Sequence, residues 1–258
     1  MSSIRILGAF GGKSEKGGSS AFYLNEKHLI DAGNILEPLK EKNASIEKIW
    51  ITHSHLDHII DIAYILDLYY EQRKRPLILC GLPQTLKTIE KHFFNNAIWP
   101  DFSKISLHQS KEMCLKYEPL SLGESYEIGE GISIEAFPTD HTVPSCGYIV
   151  TKREKSILIS ADTHSLDSVI ASVKKNPSVQ TIVIECSFPS ALENLAKISK
   201  HLTPKLLFEK LAPLEQYGLR LKINHIKPAY LDTINQEIEA KKGAWDTECL
   251  VDGNKIFF

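Results

Sequence analysis

The stretch His53-Ser54-His55-Leu56-Asp57-His58 decides the fold of this chain, because it places three imidazoles and one carboxylate within six residues. Residues 46–52 before it form a run typical of a buried strand, and apolar residues recur at helical spacing over residues 59–70. The pattern H-x-H-x-D-H therefore lies on a strand-to-helix turn. In its extended part the first two histidines point the same way, whereas the aspartate and the last histidine can diverge. One motif can thus begin two neighbouring metal sites.

The donor atoms of this motif indicate which metals it suits. Imidazole nitrogen and carboxylate oxygen without a thiolate favour Zn²⁺ and also accept Mn²⁺ or Fe²⁺. We expect two divalent metal ions, with zinc as the default. The alternative is that the histidines are solvated residues of a polar turn, as most single histidines are. Three histidines between one strand and one helix disfavour that alternative.

Further ligand candidates stand at the ends of other predicted strands. His141, Asp162 and His225 each follow an apolar run of strand length. A loop at a strand end presents a side chain from a rigid scaffold. Earlier in the chain, residues 22–30 predict a hairpin that runs into Asp31. We expect the Asp31 carboxylate to orient metal ligands.

With these residues in place, the chain resembles the metallo-β-lactamase superfamily over almost its whole length. The resemblance implies an α/β fold, a four-layered αβ/βα sandwich of two mixed sheets flanked by helices, with a two-metal site on one edge. It also implies the ligands: His53, His55 and His141 for the first metal, Asp57, His58 and His225 for the second, and Asp162 as the bridge. Asp31 would orient the ligands without binding metal.

Five segments narrow the resemblance: His53–Ile59, Lys91–Pro100, His141–Tyr148, Glu185–Pro189 and His201–Pro204. Together and in this order they resemble the class II 3′,5′-cyclic nucleotide phosphodiesterases. This resemblance implies a metal-dependent hydrolase that converts a small-molecule substrate, cAMP and/or cGMP, to a nucleoside 5′-monophosphate through a metal-bridging hydroxide. The chain departs from that family at Ile60-Asp61-Ile62, where a small residue is more usual.

Glu185 and His201 are predicted catalytic residues outside the metal-ligand set. Their settings resemble the glutamate and histidine motifs of tRNase Z, a relative in the same superfamily, where the pair assists proton transfer to the leaving group. We predict that His201 acts as an acid or binds phosphate and that Glu185 orients it. Asp57 is predicted to be both a ligand and a catalytic residue. In the alternative interpretation His201 caps a helix before Thr203 and Glu185 only ends a buried strand.

Two other functions remain open at this stage. One is an RNA phosphodiesterase like tRNase Z, which the net charge of −2 and the lack of an evident long basic arm disfavour without excluding nucleic acid. The other is a catalytically silent protein that binds a nucleotide. The complete set of ligand candidates disfavours it, because loss of catalysis most easily means loss of one of those side chains.

Length and composition predict one domain over residues 1–258. Residues 75–118 look less regular, with a helix from Pro83 to about Phe94, and are a candidate lid or homodimer surface. Five cysteines without a Cys-x-x-Cys motif read as reduced thiols. The N-terminal residues do not read as a signal peptide, and no run approaches the roughly 20 apolar residues that span a bilayer. We therefore expect a cytoplasmic protein.

Some expectations concern single residues. Phe94 and Trp99 can supply a face on which a nucleobase stacks, although aromatic residues at this spacing more often belong to the core. His28 reads as a solvated residue of the hairpin. Arg73-Lys74-Arg75 is expected to end an exposed helix, where positive charge complements the helix dipole. His164 either contacts the active site or is structural.

Overall fold

Two seven-stranded sheets form the centre of the computed structural model, which describes residues 3–258. The described strands are β1 (Ser3–Gly8), β2 (Ala21–Asn25), β3 (His28–Ile30), β4 (Lys48–Trp50), β5 (Leu77–Gly81), β6 (Leu115–Pro119), β7 (Ser125–Glu127), β8 (Ile132–Pro138), β9 (Cys146–Lys152), β10 (Lys155–Ile159), β11 (Val179–Glu185), β12 (Arg220–Asn224), β13 (Asp246–Cys249) and β14 (Lys255–Phe257). The first sheet has the order β14-β1-β2-β3-β4-β5-β6 and the second has the order β13-β12-β11-β10-β9-β8-β7. Both sheets are mixed, with antiparallel pairs on one side and parallel pairs on the other.

Helices cover the outer faces of the sheets. They are α1 (Leu36–Leu39), α2 (Leu56–Leu68), α3 (Pro83–His92), α4 (Asp167–Lys175), α5 (Glu193–Ile198), α6 (Pro204–Leu211) and α7 (Leu231–Lys241). Short 3-10 helices span Lys40–Ser45, Ser190–Leu192, Ala212–Tyr217 and Pro228–Tyr230. Of the helices in residues 3–258, none has both the length and the apolar composition that a membrane crossing requires.

The alternation of side chains along the strands produces three cores and four layers. In β4, Ile49 packs toward the helices of the first sheet, whereas Trp50 packs into the core between the sheets. In β11, Val183 faces the same central core and Ile184 faces the helices of the second sheet. Each fully buried aliphatic side chain contributes about 1.5–3 kcal/mol. The predicted αβ/βα sandwich of two mixed sheets is confirmed.

The candidate site residues gather at one edge because all of them except His201, which follows α5, lie at or after the carboxyl end of a strand that points there. Asp31 follows β3 and the 53–58 motif follows β4, which are parallel neighbours in the first sheet. Asp162 follows β10, Glu185 ends β11 and His225 follows β12, which are parallel neighbours in the second sheet. Residues placed at the carboxyl ends of parallel strands lie close together, as in other open α/β sheets.

Residues 75–118 are more regular than their sequence indicates. They contain β5, α3 and β6, so two of the strands of the first sheet lie inside the segment described above as less regular. The helix begins at Pro83 as predicted and ends at His92. Residues 93–114 are the part without a helix or a sheet strand, and a lid or dimer role for them remains a prediction.

The expected exposure of the 73–75 cluster is wrong at Arg73, and the burial of Phe94 agrees with the second of its two interpretations, that it belongs to the core. Arg73 is 1% exposed, because α2 ends before it and its guanidinium donates to the carbonyl oxygens of Asn43 and Ile46 at 3.2 and 2.7 Å. Phe94 is fully buried in the core of the first sheet, so a nucleobase cannot reach its face. Trp99 is partly exposed.

Candidate active site

The first predicted ligand set comes together where β4 passes into α2. His53 Nε2 lies 3.0 Å from His55 Nδ1, and His141 Nε2 lies 3.1 Å from the same atom. With a carboxylate oxygen of Asp162, these ligand atoms all lie within 4.8 Å of one another. His53 is completely buried and His55 is partly exposed. Four residues from three separate strand ends thus form one group that could hold a metal ion.

The second predicted set lies beside the first. His58 Nε2 and His225 Nε2 are 3.2 Å apart, and His225 Nε2 lies 3.4 Å from Asp57 Oδ2. These three residues also have ligand atoms within 4.8 Å of one another. His58 and His225 are buried, whereas Asp57 is partly exposed at the mouth of the site.

Asp162 lies between the two sets. Its Oδ2 is near the Nε2 atoms of four histidines: His225 at 3.3 Å, His58 at 3.5 Å, His53 at 3.7 Å and His141 at 3.8 Å. Its Oδ1 is buried and has no hydrogen-bond partner among residues 3–258. One carboxylate oxygen that faces both sets has the position of a bridging ligand.

Hydrogen bonds from the opposite ring nitrogens orient these imidazoles. Asp31 Oδ2 lies 2.7 Å from His58 Nδ1, and the same carboxylate accepts from Thr52 N at 2.9 Å and Thr52 Oγ1 at 2.8 Å. His141 Nδ1 donates to the carbonyl oxygen of Lys200 at 3.2 Å. A ring that donates through Nδ1 presents an unprotonated Nε2 to the cluster when it is neutral.

The donor atoms fit a divalent metal on their own chemistry. His58 and His225 turn their Nε2 atoms toward each other at 3.2 Å, and two neutral rings that both donate through Nδ1 would oppose two lone pairs there. The unpartnered Asp162 oxygen adds negative charge in a buried place. A cation between these atoms satisfies all of them. Five imidazoles and two carboxylates without a thiolate suit zinc, manganese or iron.

Burial and the buried carboxylates shift the pKa values of this cluster in different directions. Burial lowers the pKa of His53 well below its ordinary value and lowers the pKa of His141 to about 4, so both rings are neutral and available as ligands. Burial alone would lower the pKa of His58, but the Asp162 and Asp31 carboxylates raise it. Burial would likewise raise the pKa of Asp162, but the surrounding His225 and His58 hold it well below its ordinary value.

The backbone is strained at three of the strand ends that present these side chains. Asp31, Ala161 and His225 have φ values of 55°, 54° and 59°, in the left-handed region that non-glycine residues seldom occupy. Gly33 allows the hairpin to approach α2, because a Cβ there would lie 2.0 Å from the carbonyl oxygen of Asp57. The surrounding hydrogen bonds hold this strained geometry, which aims the side chains into one place.

Glu185 and His201 form a buried pair at the edge of the cluster. Glu185 Oε1 lies 2.7 Å from His201 Nδ1, so this ring donates to the carboxylate through Nδ1. Burial alone would lower the pKa of His201, but the Glu185 carboxylate raises it. Asp162, His201 and His225 also have ligand atoms within 4.8 Å of one another, so His201 borders the cluster. Thr203 caps α6 by accepting from Leu206 N, which excludes His201 as the cap.

Three residues of the site received no firm role from the sequence. Ser187 Oγ contacts Glu185 and two histidines, although a serine in a short motif carries no signal of such contacts. Lys227 Nζ donates to the carbonyl oxygen of Gly11 and lies 3.7 Å from an Asp57 oxygen. Its position two residues after the ligand candidate His225 could have indicated a place in the site. His164 Nδ1 donates to the carbonyl oxygen of His201 at 2.8 Å.

Comparison with protein families identifies the family of this chain. A family model of the class-II cAMP phosphodiesterases matches residues 26–242. The chain belongs to this family. The resemblance stated from the five sequence segments is therefore confirmed. Membership in the class-II cAMP phosphodiesterases covers both halves of the site, since the matched range includes every predicted ligand and the Glu185–His201 pair.

Individual proteins show the same relationship. The 3′,5′-cyclic-nucleotide phosphodiesterase 1 of Saccharomyces cerevisiae is 27% identical in an alignment 244 residues long, which covers 81% of this chain and 65% of the yeast protein. Ribonuclease Z of Thermococcus sibiricus is 30% identical over 121 residues, 46% of this chain and 35% of that protein. The chain thus spans less than two thirds of the length of these relatives.

Solved structures show the fold. The structure of unliganded yeast PDE1 superposes with a TM-score of 0.81 and 22% identity, over 99% of each chain. The metallo-β-lactamase fold protein YhfI from Bacillus subtilis superposes with a TM-score of 0.74 and 15% identity, over 98% of each chain. This member of the class-II phosphodiesterases therefore has the metallo-β-lactamase fold over almost its whole length.

Proposed function

We propose that this protein is a dinuclear metal-dependent phosphodiesterase that hydrolyses 3′,5′-cyclic nucleotides, cAMP and/or cGMP, to nucleoside 5′-monophosphates. The observation that carries the proposal is the Glu185–His201 pair beside a complete set of ligand candidates, in a chain of the class-II cAMP phosphodiesterase family. The yeast relative's name states the same substrate class for that protein. Hydrolysis of the single phosphodiester group of a cyclic nucleotide requires one metal cluster and one proton donor, and the site offers candidates for both.

The residues that would hold the metals fall into the two sets described above. His53, His55 and His141 would hold one ion, Asp57, His58 and His225 the other, with Asp162 between them. Bound divalent ions, zinc first, would lower the pKa of a water molecule and neutralise charge on the phosphoryl oxygens. The fit is supported by the opposed imidazole nitrogens and by the unpartnered Asp162 oxygen.

The substrate end of the site is open at Asp57 and Lys227. Both side chains are 28% exposed and they lie 3.7 Å apart. The Asp57 carboxylate can accept a hydrogen bond from the attacking water and so orient it. The Lys227 ammonium can contact a phosphoryl oxygen, since the phosphodiester carries a negative charge that a cation stabilises.

His201 is placed to protonate the leaving group. The water oxygen forms a new bond to phosphorus and releases one proton to solvent, the bond between phosphorus and the 3′ oxygen breaks, and that oxygen needs a proton. Because His201 Nδ1 donates to Glu185, the proton that the ring can release is on Nε2. Glu185 keeps the ring oriented and favours its protonated form.

The test is product analysis by chromatography. Zinc-loaded protein is incubated with cAMP, with cGMP and with a precursor tRNA, each with a chelator-treated control. We expect conversion of a cyclic nucleotide to its 5′-monophosphate, loss of this activity on chelation and recovery on addition of metal. Cleavage of the tRNA alone would assign the site to RNA, and nucleotide binding without turnover by protein that carries two metals would refute hydrolysis. His92→Ala, a change at an exposed histidine, is the control variant.

A further inference from the structure

Ser187 is a buried hydroxyl at the junction of the metal cluster and the catalytic pair. It is fully buried and lies two residues beyond the end of β11. Its Oγ lies 2.9 Å from Glu185 Oε2, 3.0 Å from His225 Nδ1, 3.1 Å from His201 Nδ1 and 3.1 Å from the carbonyl oxygen of His225. A hydroxyl has one proton to donate and can accept two. Four partners, of which the Glu185 carboxylate and the His225 carbonyl can only accept, therefore restrict how the protons are distributed.

The two partners that can only accept determine the roles of the two ring nitrogens. His201 Nδ1 is closer to Glu185 Oε1, at 2.7 Å, so its proton goes to the carboxylate. Ser187 has two acceptors for its one proton, Glu185 Oε2 at 2.9 Å and the carbonyl oxygen of His225 at 3.1 Å, and with either of them its own oxygen stays free to accept. His225 Nδ1 has that oxygen as its hydrogen-bond partner among the described residues, and it donates there. Gly11 packs against the same ring face, where a Cβ would lie 2.8 Å from Nδ1.

The opposite sheet contains the same device. Thr52 Oγ1 donates to Asp31 Oδ2 at 2.8 Å and lies 3.0 Å from His53 Nδ1. In both sheets a buried carboxylate at a strand end holds a hydroxyl, and the hydroxyl in turn contacts Nδ1 of a histidine in the cluster. Two independent occurrences at corresponding places support a positioning role for the hydroxyl, since a serine that only fills space needs no such partners.

We propose that Ser187 is a positioning residue that fixes His225 in the Nδ1–H tautomer, so that Glu185 orients His201 directly and His225 through Ser187. The unprotonated Nε2 of His225 then faces Asp57 and Asp162. The buried Glu185 carboxylate thus orients both the predicted proton donor, His201, and one candidate metal ligand, His225. Partners of this kind typically change metal affinity or activity by 10- to 100-fold when removed.

The test measures the tautomer directly. Two-dimensional ¹H–¹⁵N spectra of the histidine rings are recorded on the metal-free protein in alkaline buffer for wild type, Ser187→Ala and Ser187→Cys, with His225 signals assigned by their loss in His225→Asn. We expect the Nδ1–H tautomer in wild type and a shift toward Nε2–H in both variants, because alanine and a weakly accepting thiol do not hold the proton. Two variants of different size are made because either can fail to fold at a buried position. Ser156→Ala is the matched control, a buried serine with its own hydroxyl network at the start of β10.

The second readout is metal affinity. Titration with Zn²⁺ should show one of two binding steps weakened roughly 10- to 100-fold in the Ser187 variants and neither step changed in Ser156→Ala. An Nε2–H tautomer of His225 in wild type, or unchanged tautomer and affinity in a folded Ser187 variant, overturns the proposal. The turnover of cyclic nucleotide by these variants rests on the proposed function. The tautomer readout does not, so the two ideas can fail separately.

Discussion

Glu185→Gln is the substitution that tests the catalytic half of the site most directly. The Glu185 carboxylate accepts four hydrogen bonds. Oε1 accepts from Thr163 N at 3.0 Å and His201 Nδ1 at 2.7 Å, and Oε2 accepts from Ser187 Oγ at 2.9 Å and Leu202 N at 3.2 Å. Glutamine keeps the shape of the side chain but replaces one oxygen by an NH₂ group. The N–H groups of the amide then face two neighbouring groups that also donate, and no hydrogen bond forms there.

The expected loss of stability follows from this count. Two hydrogen bonds to a charged group disappear whichever oxygen is replaced, because each oxygen accepts two. At about 1.5–3 kcal/mol for each such bond, the free energy of unfolding falls by about 3–6 kcal/mol. Each kcal/mol corresponds to about 2–4 °C in a chain of this size, so we expect Tm to fall by about 6–24 °C. Turnover of cyclic nucleotide should fall by roughly 10²- to 10⁴-fold, the range for general acid catalysis.

Thermal unfolding by circular dichroism measures the first effect, and single-turnover kinetics with cAMP measure the second below the variant's Tm. The control is Glu118→Gln, which removes an exposed carboxylate paired with Lys48 and should change stability by no more than about 1 kcal/mol. A Glu185→Gln protein with the Tm and the turnover of wild type would refute the view that this carboxylate is both bonded four times and needed to orient His201.

Three further predictions concern metal binding, substrate binding and pH. Asp162→Ala should lower the content of both metals, whereas His201→Ala should leave two metals bound and lower turnover roughly 10²- to 10⁴-fold. Metal analysis after desalting measures the metal content of both variants. Equal loss of metal in the two variants would make His201 a ligand. Lys227→Gln removes the ammonium 3.7 Å from Asp57 and should raise KM roughly 10-fold with little change in kcat, measured by steady-state kinetics. His28, expected to be solvated, is partly buried and accepts from Trp50 Nε1 at 3.2 Å, and burial lowers its pKa to about 4 from an unfolded value of about 6.5. Its contribution to stability is therefore complete above pH 6.5 and lost as pH falls toward 4, so the stability difference between wild type and His28→Asn, followed by denaturant unfolding, should shrink or reverse across that window.

The sandwich and the place of the site could be predicted from the sequence because both depend on local patterns. Alternating apolar residues place strands between two cores, and the 53–58 motif marks the end of one strand. His141, Asp162 and His225 follow other strands, and parallel strands in one sheet bring their carboxyl ends to one edge. The pairing of particular ligands into two sets came only from the family resemblance, since spacing along the chain does not fix distances between loops.

Other features could not be predicted because they depend on contacts between distant segments. Arg73 is buried against carbonyl oxygens about 30 residues away, and a basic cluster gives no sign of this. The role of Ser187 arises from histidines that arrive from two later loops. The sequence does not predict β6, because this edge strand alternates exposed charged residues with apolar ones. Pro119 at its end is also more typical of a loop than of a strand.

The two halves of the site belong to different sheets, so the geometry of the site depends on how the sheets pack. The first sheet supplies the 53–58 motif, and the second supplies the other ligands and the Glu185–His201 pair. A direct link joins them: Tyr148 of β9 donates its hydroxyl to the carbonyl oxygen of Ile51 at 2.8 Å, and Cys146 N donates to Thr52 O at 3.0 Å. These bonds attach the second sheet to the residues immediately before the motif. On the other side of the site, His225 N donates to the carbonyl oxygen of Ala9 at 2.8 Å. Since orientation within each half is already set by its own buried carboxylate, these links between the sheets fix the distance between the metal ligands of one sheet and the proton donor of the other.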